Sequence, residues 1–159
     1  MALFVGAVTL LTRMFGLTAG YHRYFCHRTF KTTRMFQFAL AWLGAASAQR
    51  GPLWWAGHHR LHHRHADTEE AVHPPGVKGF LWAHAGLLMS VRNGPTRFEW
   101  VPDFAQYREL RWLDANLYVA PLSFMLVMFG VGEGLSATYP VFESTGSQLV
   151  VIGFVWSTT

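Results

Sequence analysis

LYVAPLSFMLVMFGV, residues 117–131, holds fifteen positions without a single charge. A helix that crosses a bilayer needs roughly 20 apolar residues, with about 17 as the lower limit, so the run is marginal alone. Two other stretches share its character. Residues 1–20 carry Arg13 as their only charge, and QLVVIGFVW (148–156) opens a run that reaches Thr159. The whole chain of 159 residues is 51% apolar and 14% charged, against about a quarter charged in an ordinary soluble domain. We therefore expect membrane spans at about 1–20, 117–131 and 147–159, with residues 21–116 between them. Residues 35–48 (MFQFALAWLGAASA) are too few to span at 1.5 Å each and fit an interfacial or cavity-lining helix. The competing reading is a soluble helical protein whose core helices are these same runs.

Charge placement orients the chain. Residues 28–116 carry eleven Lys/Arg, whereas residues 132–146 carry none and hold Glu133 and Glu143. Positive residues stay inside, which puts the long segment in the cytoplasm and the short loop outside. From Met1 to His65 there are eight Lys/Arg and no acid, a balance suited to anionic headgroups or phosphate. Disorder, collagen-like and nucleic-acid-tail readings are excluded by composition, and Cys26, the only cysteine, excludes a disulfide scaffold. No basic region precedes the first apolar run, so a secretory signal fits poorly. The expected fold is all-α, multi-pass transmembrane helices with a cytoplasmic helical cap.

All nine histidines fall in the cap, seven of them between His22 and His65. His22 and His27 stand five apart, about 140° around an α-helix, too wide for easy chelation of one ion but suited to a shared site at a helix end. The second group is denser: WWAGHHRLHHRH (54–65) places five histidines in eight positions. His59, His62 and His63 fall within about 100° of one helix face. A solvated basic face would explain the arginines there but not the imidazoles. Imidazole favours Fe, Cu, Ni and Zn over Mg or Ca. Zinc peptidase chemistry wants H-E-x-x-H, and Arg60 stands where that Glu would be; structural zinc usually wants cysteines. Neutral nitrogen ligands beside an apolar wall point to redox iron, O2 and a hydrocarbon substrate.

GLTAGYHRYFCHRTFK (16–31) with GPLWWAGHHRLHHRHADTEEAVHPP (51–75), supported by GFLWAHAGLLM (79–89) and VPDFAQYRELRWLD (101–114), resembles the membrane fatty-acyl desaturases, close to the bacterial acyl-CoA Δ9 (stearoyl-CoA-type) branch. The resemblance implies a histidine-ligated di-iron (Fe2+) centre with His22, His27, His59, His62 and His63 as ligands. It gives His58, His73, His84, Trp54 and Trp55 supporting or substrate-facing places, each weighed against an ordinary packed residue. It also implies a fatty acyl substrate (acyl-CoA or acyl lipid), O2, and an electron donor such as a ferredoxin, rubredoxin or cytochrome b5-type protein. No nucleic-acid partner is expected. The family's third histidine box has no counterpart after His84, so the chain is expected to be a fragment, inactive alone. A histidine-box hydroxylase and a non-enzymatic membrane metal-binding module are the alternatives.

Overall fold

Ala, Leu, Val and Phe, without a proline or an acid, carry helix α1 (Ala2–Phe15). The backbone runs on into a π-helical stretch, Gly16–Cys26. In this computed structural model, which describes residues 1–64, 94–139, 141 and 144–156, the two form one apolar rod of 25 residues, Ala2–Cys26. The rod exceeds the bilayer requirement and reaches past residue 20, where the first apolar run was expected to end. Helix α2 (Arg34–Ala45) starts at Thr33, whose hydroxyl accepts from the Phe36 amide at 3.3 Å, a standard way to satisfy a first-turn donor. Helix α3 is Pro52–Arg64. A 3-10 turn at Phe98–Trp100 leads into α4 (Pro102–Ala105) and α5 (Arg108–Ala115). Helix α6 is Val119–Thr138, and α7 (Gly146–Val150) continues as a π-helix over Val151–Trp156. Among the described residues every element is helical, in accord with the all-α expectation.

Helix α6 continues past residue 131 into what read as a loop. The Glu133 carboxylate, which made that stretch look solvent-facing, accepts from the Gly146 amide at 2.8 Å and so ties the end of α6 to the start of α7. Gly132 permits the approach: a Cβ there would lie 2.5 Å from the Gly146 Cα. The rod and α6 are each long and apolar enough to cross a membrane. Leu3, Phe4 and Leu11 on the rod and Leu122, Leu126 and Val127 on α6 are exposed. Arg13 is turned inward, with Nη1 donating to the Phe154 carbonyl at 2.9 Å and the guanidinium 4.7 Å from the Phe154 ring. A carbonyl and a π-face together offset the charge.

Tyr21, Phe25, Leu40, Leu53, Leu110 and Leu113 are enclosed where the π-helical stretch, α2, α3 and α5 meet. Close approach of the rod to α2 depends on Gly16, where a Cβ would sit 2.6 Å from the Leu43 backbone carbon. Backbone cannot yield as a flexible side chain can, so Gly16→Ala is expected to destabilise the fold by about 1–3 kcal/mol. The thermal midpoint of the detergent-purified protein measures this; an unchanged midpoint would show that the two helices can separate freely.

Candidate metal centre

The first histidine pair sits where the backbone bonds i to i+5: the His27 amide donates to the His22 carbonyl at 3.1 Å. In a π-turn, residues five apart face the same way. The 140° separation read from an α-helix therefore does not apply, and the two Nε2 atoms stand 3.1 Å apart. His59 and His63 are one α-turn apart on α3 and their Nε2 atoms are 3.0 Å apart. Across the two segments, ring centroids of His22 and His59 are 4.9 Å apart, as are those of His27 and His63. One ligand atom from each of His22, His27, His59 and His63 lies within 4.8 Å of the others.

His62 is on the same helix, with its ring centroid 6.3 Å from His59 and 5.8 Å from His63, and is not one of the four converging ligands. His58 occupies the neighbouring face, buried. Its Nδ1 donates to the Trp54 carbonyl at 2.8 Å and its ring stacks on the Trp54 indole at 4.1 Å. Trp55 backs the site directly, its indole stacked on His59 at 4.8 Å and 16° and packed on Tyr21 at 5.7 Å. Cys26, between the paired histidines, is buried in the core. His65, His73 and His84 lie outside the described residues.

Two carboxylates that the sequence reading passed over hold α3 in place. Asp114 Oδ1 accepts from the Leu53 and Trp54 amides, both at 3.0 Å, and Oδ2 accepts from the Thr96 hydroxyl. It is an N-cap supplied from another helix. Gly51 admits it, because a Cβ at that position would overlap Asp114 Oδ1. Burial pushes the Asp114 carboxyl up, against the pull of its three donors. Arg60, between the ligating residues, makes a two-pronged pair with Asp103 (2.9 and 3.0 Å) and donates from Nη2 to the Phe25 carbonyl at 2.5 Å. One guanidinium thus joins α3, α4 and the backbone two residues before His27. An Arg inside the H-x-x-H-H run and an acid beside Pro102 were the available signals.

Two of the four imidazoles are held towards the neutral form. Desolvation, followed by His63, His22, His27 and His62, brings His59 down to about 4. Desolvation, then His22, His63 and Arg60, lowers His27 as well. Unprotonated imidazole is the form that binds metal, so the donor set suits a transition-metal cation. The linkage follows in sign. Between the ordinary value of 6.5 and about 4 the unfolded chain binds protons at His59 that the folded chain does not, so stability rises with pH across that window. The metal-free protein is therefore expected to lose stability as pH falls from 6.5 towards 4. Thermal melts at half-unit steps measure it, and His59→Gln should flatten the slope.

With this geometry in hand, the comparisons with known proteins are direct. The family model described as fatty acid desaturase matches residues 1–158. An sn-2 palmitoyl-lipid 9-desaturase from Nostoc sp. (strain 36) is 30% identical over 131 residues, covering 80% of this chain and 46% of that protein. An sn-1 stearoyl-lipid 9-desaturase from Anabaena variabilis is 41% identical over 105 residues, 64% of this chain and 37% of the relative. A probable acyl-CoA desaturase from Schizosaccharomyces pombe is 42% identical over 79 residues, 49% and 16% respectively. The chain thus spans less than half the length of these relatives. No solved structure gives a significant match.

Proposed function

This chain belongs to the fatty acid desaturase family, and on that premise we propose that it serves the O2-dependent introduction of a cis double bond into a saturated fatty acyl chain at a di-iron centre. The observation that carries the reading is the convergence of His22, His27, His59 and His63 within 4.8 Å at the end of an apolar rod. Two nitrogens bound to one ion at about 2.1 Å lie at most ~4.2 Å apart. The close pairs satisfy this, and the wider span supports a second, adjoining ion, with His62 as a further ligand. The names of the two cyanobacterial relatives favour the Δ9 position and an acyl lipid over acyl-CoA.

Iron bound there would let O2 take two hydrogens from adjacent methylenes, with two electrons from a ferredoxin, rubredoxin or cytochrome b5-type donor and two protons from solvent completing its reduction to two waters. The chain's own residues position. His22 lies in the last turn of the rod and His27 follows its end, so a membrane crossed by α1 leaves the cluster at its surface, within reach of a lipid's acyl chain. Trp55 fixes the plane of the His59 ring, and Arg60 fixes α3 against the segment bearing His27. Each CH2 of substrate buried on binding would contribute about 0.8 kcal/mol. The basic balance of residues 28–116 supports a multi-pass protein with this site on the cytoplasmic side.

Metal analysis of the chain purified from membranes supplied with ferrous iron tests the reading, with Mössbauer spectra for coupled ferric ions and fatty-acid analysis of the host membranes. Histidine-dependent iron and a new double bond are expected. Stoichiometric zinc with no redox metal would overturn it in favour of a metal-binding module, and a hydroxylated product in favour of a hydroxylase.

A further inference from the structure

A cavity of about 480 Å³, lined by none of the four converging histidines, opens between residues 28–32, the start of α2 and residues 103–107. Its size is that of a small-molecule site. Gln37, only 3% exposed, lines it. The Gln37 Oε1 accepts from the Tyr24 hydroxyl at 2.9 Å, but among the described residues its Nε2 has no partner. A buried amide donor left unmet is costly, and a ligand oxygen that the Gln37 side chain turned to meet would recover that cost. Arg28 and Lys31 supply cations at the mouth. The one acid of the lining, Asp103, is already held by both prongs of Arg60. Phe30, Phe104 and Tyr107 form an apolar wall beside these donors.

We propose that this cavity is a second binding site, separate from the metal centre, for a phosphate monoester carried on a small organic group. The phosphate oxygens take the Gln37 amide and the Arg28 and Lys31 charges, and the carbon skeleton lies against Phe30, Phe104 and Tyr107. A phosphate offers several acceptor oxygens to such a set and can share Arg28, which lies 3.4 Å from Asp103, whereas an uncharged ligand would leave the Lys31 charge unused. The same chemistry arrives on a lipid headgroup or on a free metabolite.

Binding of glycerol 3-phosphate to the full chain in zwitterionic nanodiscs, followed by calorimetry, tests the site without metal or turnover. Failure here therefore leaves the desaturase reading untouched. Saturable binding is expected, with glycerol inactive. Lys31→Glu, at an exposed position, should weaken binding at least tenfold while the thermal midpoint holds. Gln37→Met should weaken it by about tenfold, the size of one lost charge-assisted hydrogen bond. Nanodiscs containing phosphatidic acid identify the source: competition against glycerol 3-phosphate that depends on Lys31 assigns a lipid-borne phosphate, and no competition a free one. Absence of saturable binding, or binding indifferent to both variants, would overturn the proposal and leave a solvent-filled vestibule.

Discussion

His59→Ala is expected to lower the affinity of the chain for ferrous iron by at least ~100-fold, since even groups that only orient a ligand are worth about 10–100-fold. His59 is the junction of the cluster. Its Nε2 is 3.0 Å from that of His63, and its ring contacts those of His22 and His27 at 4.9 and 5.5 Å. It is also the imidazole most strongly held neutral, at about 4. Its removal takes one arm of the α3 chelate and the ring that Trp55 supports. The fold should survive, because the enclosed core lies at Tyr21, Phe25, Leu53 and Leu113. Metal titration with cobalt as a spectroscopic probe measures the loss. His62→Ala is the informative comparison: an equal fall would bring His62 into the ligand set, and unchanged affinity in both variants would remove the cluster as the metal centre.

Arg60→Met should cost about 3 kcal/mol of stability, the lower part of the range for breaking a largely buried ion pair. Side-chain exposures of 20% for Arg60 and 18% for Asp103 justify placing it there. The substitution strands the Asp103 carboxylate, apart from Arg28 at 3.4 Å, and removes the donor to the Phe25 carbonyl. Asp103→Leu in the same chain should restore much of the stability, because two apolar groups leave no stranded charge. Metal affinity should fall in both, since the link between α3 and the backbone before His27 is gone in both. Burial raises the Asp103 carboxyl, but hydrogen bonds and charge from Arg60, with Arg28, carry it below the ordinary 3.8. A depressed carboxyl stabilises above that value and loses its contribution as pH falls through the lower folded one. Denaturation midpoints of the three proteins near neutrality decide the matter; equal midpoints would reduce the pair to a surface contact.

What could be read from the sequence was what depends on near neighbours. Apolar runs announced the rod and α6, and the spacing of His59 and His63 announced a chelating face, because one α-turn relates them. The α-helical angle of about 140° does not hold for His22 and His27, and nothing in GYHRYFCH distinguishes i+5 from i+4 bonding. The end of α6 was misplaced because Glu133 looked like a loop residue until its partner, Gly146, was known. The bracing roles of Arg60 and Asp114 are hidden in the sequence for the same reason. Their partners are 43 residues away for Arg60 and as many as 61 for Asp114, beyond any local pattern.

Two histidine pairs reach almost the same separation, 3.1 and 3.0 Å, from sequence spacings of five and four. The additional residue in the first pair is one that a π-turn takes up inside the helix. Deleting one residue from 23–26 would let the stretch relax to α-geometry with its histidines still facing each other. Because His22 keeps its facing, the rod joined to it keeps its phase, and Arg13 stays on the Phe154 carbonyl. A deletion in the α-helical turn between Arg13 and Gly16 has the opposite result: Arg13 would turn by about 100° and slide by ~1.5 Å relative to the cluster. Length changes between the two histidines are therefore absorbed where they occur, whereas those behind them reset the buried charge of the first helix.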